Sequence, residues 1–250
     1  MPTLQSARPN PNAIRGPRGQ CGTCEIRELS VCAALDEVEL ERLRLIIASV
    51  HVQAGATVIC EGEAADNLFN VVRGSVKLYK LLPDGRRQVT GFLFPGDFLG
   101  IALNETYAYN AEAIQPLQLC CFPRRKLEAL LAGLPRLERR LLGETAHELA
   151  AAQDQMVLLG RKTALERVAS FLIMLSERAV KRRRPASPLD IPMTRTDIAD
   201  YLGLTTETVS RTLTRLRRGR LIATQTRGRI EISDMEGLRA LVEGGGLEGR

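Results

Sequence analysis

Residues 193–218 read MTRTDIADYLGLTTETVSRTLTRLRR, and this stretch decides the fold of the C-terminal part of the chain. Gly203 lies between two segments whose apolar residues recur at helical spacing, and a glycine there permits a tight turn. Threonines that can cap each helix are Thr194 or Thr196 in the first segment and Thr205 or Thr206 in the second. The positions expected to face inward are Ile198, Ala199, Leu202, Leu204, Val209, Leu213 and Leu216. Helix, turn and helix of these lengths predict a helix-turn-helix.

The outer face of the second helix carries residues that can read or hold DNA. Its hydroxyl, carboxylate and guanidinium groups match the donors and acceptors on base edges and phosphates. These residues are Thr206, Glu207, Thr208, Ser210, Arg211, Thr214, Arg215 and Arg218. Two β-rich runs, 221–225 and 229–232, flank Thr226-Arg227-Gly228 and predict a hairpin that makes the unit a winged helix. A helical protein-binding module is the alternative, but it does not explain so many base-competent side chains.

The positive charge of the chain is concentrated around this motif. Residues 161–229 hold 16 Lys and Arg against 6 Asp and Glu, a net charge of +10, whereas the whole chain carries +6. A basic segment joined to a near-neutral remainder is typical of a nucleic-acid-binding module. Charge alone is equally compatible with a solvated helical surface.

Composition predicts a soluble protein that stays in the cytoplasm. Of the 250 residues, 44% are hydrophobic and 26% charged. No run approaches the roughly 18 apolar residues of a membrane span, so we expect no membrane partner. Residues 1–20 contain no apolar core of an export signal, and their Pro and Gly content predicts a disordered arm.

The middle of the chain predicts a small β domain. Glycines lie 4 to 12 residues apart between residues 50 and 122, separating short β-rich runs, which suggests a jelly-roll-like β-barrel. A short helix is expected at 35–47, and the fold class is α+β. The expected division is an arm at 1–20, a cysteine loop at 21–34, a β-roll sensor domain at 35–133, a dimerisation helix at 134–160 and a winged helix-turn-helix domain at 161–250.

A long helix starting at Pro135 carries a possible dimer seam. A heptad pattern places mostly apolar residues along one stripe, where two copies of the chain could pair as a homodimer. The seam positions are Leu142, Thr145, Leu149, Ala152, Met156 and Leu159. Small residues at two of them predict a weak coiled coil, and packing of this helix on its own barrel is the alternative.

Three of the six cysteines, Cys21, Cys24 and Cys32, lie within twelve residues. Six cysteines are too few for a secreted disulfide scaffold of this length. Three thiols on one glycine-containing loop can converge on a metal, with a fourth ligand from elsewhere in the chain. Four thiolates suit either an iron–sulfur cluster or zinc, and the residues alone leave that choice open.

Several motifs, in this order, resemble the FNR branch of the CRP/FNR transcription regulators over nearly the whole chain. GLTTETVSR at 203–211 is similar to the recognition helix of that branch, and MTRTDIADYLGLT at 193–205 to the preceding helix and turn. GSVK at 74–77 and FPGDFLG at 94–100 are similar to its β-roll. The resemblance also covers the long dimer-type helix.

The resemblance implies an oxygen-labile [4Fe-4S] cluster on Cys21, Cys24, Cys32 and Cys120. The fourth ligand in that branch precedes a proline late in the roll, and Cys120-Cys121-Phe122-Pro123 matches with Cys120 in register. Successive strand residues point to opposite faces, so only one of Cys120 and Cys121 can face the loop. Cys60 matches no ligand position. When oxygen is scarce, the intact cluster would favour the dimer and DNA binding.

The resemblance also implies the DNA sequence that is read, a two-fold site resembling TTGAT-N4-ATCAA. Arg211 would donate to guanine, Glu207 would accept from the cytosine amino group, and Ser210 would contact thymine, in agreement with base-edge chemistry. RNA polymerase is the implied protein partner, touched by the exposed turn Asp84-Gly85-Arg86-Arg87. The branch uses an acidic residue of the dimer helix for oxygen control, but Glu144, Glu148 and Asp154 all lie off the seam.

Two other functions are less compatible with the sequence. A cyclic-nucleotide-gated regulator of the same fold would need an arginine after Gly96-Asp97 to pair with the cyclic phosphate, and residues 98–110 contain none. An iron–sulfur enzyme would need catalytic partners, and His51 and His147 are better explained as surface residues. Zinc or thiol redox at the cysteines, or a small-molecule effector in the barrel, remain alternatives within the fold.

Overall fold

Residues 15–16, 21, 24–101, 105–225 and 229–244 are described by a computed structural model of the chain. The chain divides into two units, Met1–Ala150 and Ala151–Arg250. The boundary falls inside the longest helix, so this helix contributes its two ends to different units.

The first unit contains a five-stranded sheet in the order β1-β2-β9-β4-β7 and a four-stranded sheet in the order β3-β8-β5-β6. Every strand pair in them is antiparallel. No strand of one sheet pairs with a strand of the other among the described residues, and the predicted jelly-roll-like fold is confirmed. The strands are β1 (Arg15–Gly16), β2 (Ala48–Val52), β3 (Thr57–Ile59), β4 (Asn67–Arg73), β5 (Val76–Leu81), β6 (Arg87–Leu93), β7 (Phe98–Leu99), β8 (Asn110–Ala113) and β9 (Leu117–Pro123).

The short strand β1 covers one edge of the five-stranded sheet. Arg15 pairs with Val50 and Gly16 with Ser49, so the edge of β2 gains backbone partners. An uncovered edge would leave a row of unpaired N–H and C=O groups. The expectation of a disordered arm therefore does not hold for these two residues, and the rest of residues 1–20 lies outside the described residues.

The turn between β4 and β5 requires glycine. Gly74 has a φ of +88°, and a Cβ placed there would lie 2.5 Å from the carbonyl oxygen of Pro116. Both the backbone conformation and the close approach therefore exclude a side chain. This turn fixes the start of β5 beside β8, where Val76 of β5 pairs with Ala113 of β8.

The two faces of the five-stranded sheet bury different clusters. Leu119 and Cys121 of β9 belong to the core of the roll, between the sheets. Cys120 and Phe122 belong to a second cluster, formed with helical segments on the opposite face. The alternation follows from strand geometry, in which successive side chains point to opposite faces.

Helices of the first unit cover this opposite face. Asp36 caps α1 through a capping box with Glu39, which starts the helix two residues later than the sequence pattern suggests. The cysteine segment is not an open loop but forms two 3-10 helices. The helical segments are Arg27–Leu29 and Val31–Ala34 (3-10), α1 (Glu37–Arg44), α2 (Arg124–Leu131), which the sequence analysis did not foresee, and α3 (Pro135–Arg161).

The second unit is a helix-turn-helix followed by a two-stranded sheet, as predicted. Its elements are α4 (Ala164–Lys181), α5 (Arg195–Leu202), α6 (Thr206–Arg218), β10 (Ile222–Thr224), β11 (Ile230–Ile232) and α7 (Met235–Val242). β10 and β11 pair antiparallel. The predicted turn of the wing at residues 226–228 lies outside the described residues, and α7 was not foreseen.

Candidate nucleic-acid interface and cysteine site

The turn between α5 and α6 is built from local capping interactions. Thr194 caps α5 in a capping box with Asp197, whose carboxylate also accepts from the Thr194 hydroxyl at 2.6 Å. Gly203 ends α5 in the left-handed conformation, with a φ of +61°. Thr205 caps α6 by accepting from the amide of Thr208 at 3.1 Å. The sequence left two threonines open for each cap, and the structure selects Thr194 and Thr205.

One face of α6 is buried and the other is exposed. Val209 and Leu216 are fully buried, as predicted. Leu213 is only half-buried and Thr212 is buried beside it, so the inward stripe is rotated slightly from the predicted one. The exposed members of the predicted interface are Thr206, Glu207, Ser210, Arg211, Arg215 and Arg218.

The exposed side chains pair with one another along the helix. The Arg211 guanidinium forms an ion pair with Glu207, one turn earlier. The Ser210 hydroxyl donates to the carbonyl oxygen of Thr206 at 2.9 Å. Thr208 is half-buried, and its hydroxyl lies 2.8 Å from that of Thr205, so it takes part in the cap. A donor and an acceptor for base edges thus lie one turn apart.

Arg167 of α4 ties the helix-turn-helix to the end of α3, a role that the sequence analysis missed. Its guanidinium donates to the carbonyl oxygens of Leu202, at 2.9 Å, and of Leu159 and Lys162, both at 2.8 Å. These carbonyls lie at helix ends, where the helix itself leaves them without a partner. Gln155 of α3 adds a bond to the carbonyl oxygen of Tyr201 at 2.6 Å. Long-range bonds of this kind leave no periodic signal in a sequence.

The predicted seam of α3 lies mostly in solvent in the single chain. Leu142, Leu149 and Met156 have 69%, 62% and 72% of their surface exposed. Ala152 is also exposed, whereas Thr145 and Leu159 are half-buried. Three large apolar side chains at seven-residue intervals thus form an unpartnered stripe. Leu142 and Leu149, which belong to the first unit, are not packed on the roll among the described residues.

Cys21 and Cys32 of the N-terminal segment lie in one apolar cluster with Cys120, whereas the half-buried Cys24 is not part of that cluster. Cys21 is buried there, and Cys32 and Cys120 pack against it. Burial raises the pKa of Cys120 to about 12, with added repulsion from thiolate charge on Cys24, Cys32 and Cys21. Burial likewise raises the pKa of Cys32 to about 11, although the Ser30 hydroxyl opposes the shift. In the described part of the chain, no three His, Cys, Asp or Glu residues are arranged so that they could hold a metal ion.

Cys121 and Cys60 have different surroundings. The Cys121 thiol lies on the roll side of β9 and donates to Oδ1 of Asn67 at 3.4 Å. Burial raises the pKa of Cys60, and the nearby Glu63 carboxylate raises it further. Neither residue is placed with the cysteine segment.

Two buried polar groups flank Cys120 and were not foreseen. Ser49 of β2 and Asn70 of β4 are the direct cross-strand partners of Cys120. Ser49 Oγ and Asn70 Oδ1 have no hydrogen-bond partner among the described residues. A polar residue within the apolar run of β4 was a signal in the sequence, but only the register of three strands shows that it faces Cys120.

Both halves of this architecture match known protein domains. Residues 49–133 match the cyclic nucleotide-binding domain, and residues 166–241 match the Crp-like helix-turn-helix domain. The chain is also 42% identical over 230 residues to the transcriptional activator protein FnrL of Cereibacter sphaeroides, a match that covers 90% of this chain and 92% of that protein. The chain belongs to the CRP/FNR family of transcription regulators.

Other CRP/FNR proteins match over similar lengths. The nitrogen fixation regulation protein FixK of Bradyrhizobium diazoefficiens is 44% identical over 203 residues, covering 81% of this chain and 86% of that protein. The solved structure of FixK2 from Bradyrhizobium japonicum superposes with a TM-score of 0.73 at 37% identity, covering 78% of this chain and 97% of that one. Members of the CRP/FNR family regulate transcription and are not enzymes, so the prediction of a non-enzymatic DNA-binding regulator is confirmed. Among the described residues of this member, no helix is both long and apolar enough to cross a bilayer.

Proposed function

We propose that this CRP/FNR regulator is an oxygen-responsive activator that binds TTGAT-N4-ATCAA-like DNA as a homodimer when a [4Fe-4S] cluster is held by Cys21, Cys24, Cys32 and Cys120. One observation carries the proposal. Cys21 and Cys32 from the N-terminal segment and Cys120 from β9 share a single apolar cluster with the first turns of α3, the helix that bears the exposed stripe.

The chemistry of the cysteine site fits a thiolate-bound metal centre. Thiols buried in an apolar cluster are poor thiolates unless a cation compensates their charge, and metal binding supplies that compensation. The unpartnered Ser49 hydroxyl lies beside Cys120, where a bound sulfur would accept its hydrogen bond. An iron–sulfur cluster, when bound, supplies an oxygen-labile link between the four sulfurs. The sulfurs of Cys21, Cys24 and Cys32 then hold the N-terminal segment against β9.

The same apolar cluster connects the cysteine site to α3. Leu134 and Leu137, at the start of α3, are fully buried in it, and Leu141 packs against it. Order in the cysteine segment therefore bears on the position of the first turns of α3. Metal binding can favour the dimer only by binding the dimer-competent arrangement more tightly than the other one. Leu142, Leu149 and Met156 are the side chains that the second copy covers.

Base reading follows from the exposed face of α6. Arg211 donates to the guanine of each half-site and Glu207 accepts from the cytosine amino group, for which their mutual ion pair must open. Ser210 contacts thymine, while Arg215 and Arg218 bind phosphates. Two copies of α6, one from each protomer, match the two-fold symmetry of the site.

RNA polymerase is a further partner, by resemblance to the CRP/FNR family. The turn between β5 and β6 exposes Asp84 and Arg86, which form an ion pair at 2.7 Å, and we assign this turn to RNA polymerase. Cyclic nucleotide is not the effector, because residues 98–110 contain no arginine to pair with its phosphate. Zinc at the four cysteines is the alternative that the test below must distinguish.

The test is anaerobic purification followed by exposure to air. The anaerobic chain should contain iron and acid-labile sulfide, absorb broadly in the visible range, run as a dimer and shift a TTGAT-N4-ATCAA duplex but not a scrambled one. Air should bleach the absorbance and abolish the shift in parallel. Colourless protein with stoichiometric zinc, or a gel shift that is indifferent to air, would overturn the proposal.

A further inference from the structure

Ser49, Cys120 and Asn70 form one row across three neighbouring strands. Ser49 of β2 and Asn70 of β4 are each directly opposite Cys120 of β9. Side chains of directly opposed residues point to the same face, with Cβ atoms about 5 Å apart. Both polar side chains are therefore neighbours of the Cys120 thiol on the face that carries the cysteine segment.

Both groups are buried without a hydrogen-bond partner among the described residues. Ser49 is 7% exposed and Asn70 is 1% exposed, yet Ser49 Oγ and Asn70 Oδ1 bond to nothing there. Such atoms are costly and uncommon in folded proteins, because they lose their water without gaining a substitute. No other buried side-chain oxygen or nitrogen of the described residues is left in this state. Their location on either side of one cysteine points to a ligand at that cysteine.

The chemistry of the two side chains fits a sulfur acceptor. A hydroxyl donates one hydrogen bond, and rotation of the Asn70 amide about its last bond exchanges its oxygen for an NH2 donor. A neutral thiol is a weak acceptor, whereas a metal-bound thiolate carries negative charge and accepts well. Hydrogen bonds to ligating sulfurs are one of the factors that set the properties of an iron–sulfur cluster.

We propose that Ser49 and Asn70 are positioning residues that donate hydrogen bonds to the Cys120 sulfur when it binds the metal centre. The inference rests on the proposed function. It predicts effects of opposite sign in the two forms of the chain. Without metal, the two groups cost stability because they are buried and unsatisfied; with metal, they retain the Cys120 ligand.

The experiment compares Asn70→Leu and Ser49→Ala with the wild-type chain. Leucine has the same number and branching of side-chain heavy atoms as asparagine, and alanine removes only the hydroxyl, so neither variant leaves a large cavity. Each variant, loaded with iron and sulfide without air, should release iron to a chelator about fivefold faster, the factor that corresponds to one hydrogen bond of ordinary net strength. The urea midpoint of each metal-free variant should equal or exceed that of the wild type.

Ser75→Ala is the matched control. Ser75 is also a buried serine of the roll, but its hydroxyl donates to Oε1 of Gln115 at 3.1 Å. Its variant should lower the urea midpoint of the metal-free chain and leave the rate of iron release unchanged. This is the reverse of the pattern expected for Ser49→Ala.

Failure of the inference and failure of the proposed function give different results. If the wild-type chain takes up no iron and sulfide, the proposed function fails before any variant is tested. If the wild type loads but Ser49→Ala and Asn70→Leu release iron at its rate, only the inference is overturned. The same holds if both variants lower the metal-free midpoint as Ser75→Ala does, since the groups then have structural partners.

Discussion

Arg211 lies on the solvent side of α6, paired with Glu207, whereas Cys120 lies in an apolar cluster between two buried polar atoms that have no partner in the described part of the chain. In the single chain, Arg211 and Glu207 compensate each other's charge. The groups around Cys120 are satisfied by nothing that the structure describes. Among the described residues, the polar groups on the exposed face of α6 thus find partners within the chain, whereas Ser49 Oγ and Asn70 Oδ1 beside Cys120 do not.

This difference has an energetic cause. An exposed ion pair costs little to form or to open, because water solvates both charges when they separate. Buried thiols and amides cannot form hydrogen bonds with water, so their free energy depends on what binds among them. Exposed, paired side chains can exchange their ion pair for contacts with a nucleic acid of the right shape. Buried polar groups gain or lose stability when a ligand binds or leaves, so they can act as a switch.

Replacement of Cys120 should have the largest effect and should separate the two regions completely. Cys120→Ala removes the only predicted ligand outside the N-terminal segment, so the chain should lose its metal and with it the air-sensitive gel shift. Cys121→Ala is the control, since its thiol lies on the roll side and bonds to Asn67. Iron and sulfide analysis of anaerobic protein checks both. Equal metal content in the two variants would show that Cys120 is not a ligand.

Arg211→Ala should weaken base recognition by α6 without affecting the cysteine site. Loss of the guanine contact should weaken binding to the specific duplex by about 1–3 kcal/mol and leave the scrambled duplex almost unaffected. Arg218→Ala should weaken both duplexes about equally and reduce the salt dependence by about one ion, as expected for a phosphate contact. Titrations at several salt concentrations measure both effects. Equal losses on the two duplexes for Arg211→Ala would contradict its assignment to a base.

How far each region could be predicted follows from how local its interactions are. The caps and turn of the helix-turn-helix lie within a few residues of one another, and the sequence reduced them to Thr194 or Thr196 and Thr205 or Thr206. Leu213 was predicted to face inward, but Thr212 is the more buried of the two. Packing of α6 against α4 and the wing decides which of two neighbouring side chains is buried.

The cysteine site depends on the register of distant strands. The family resemblance pointed to Cys120, but Ser49 and Asn70 became its neighbours only through β2, β9 and β4 pairing in one register.

Gly96→Ala should disturb the cysteine segment while leaving α6 intact. Gly96 has a φ of +97°, and an added Cβ would lie 2.8 Å from Cβ of Leu29 in the first 3-10 helix. The left-handed backbone alone costs a non-glycine residue about 1–2 kcal/mol, and the contact pushes the cysteine segment outward. The first unit should unfold at lower urea and bind metal more weakly. Gly55→Ala is the control, because Gly55 also has a positive φ but open space around it. Unchanged metal affinity in Gly96→Ala relative to Gly55→Ala would show that the close contact between Gly96 and Leu29 is not needed for metal binding.

Thr205→Ala should give the smallest effect, confined to the stability of the reading helix. Its hydroxyl caps α6, and loss of such a cap typically costs about 1 kcal/mol. The adjacent Thr206 is exposed and does not cap the helix, so Thr206→Ala should leave the urea midpoint unchanged and weaken DNA binding instead. Thr205→Ala should keep the preference for the specific duplex at temperatures where α6 stays folded. If Thr205→Ala instead altered base preference at constant stability, the capping threonine would itself touch DNA. The division of this helix into a capping residue and DNA-contacting residues would then be wrong.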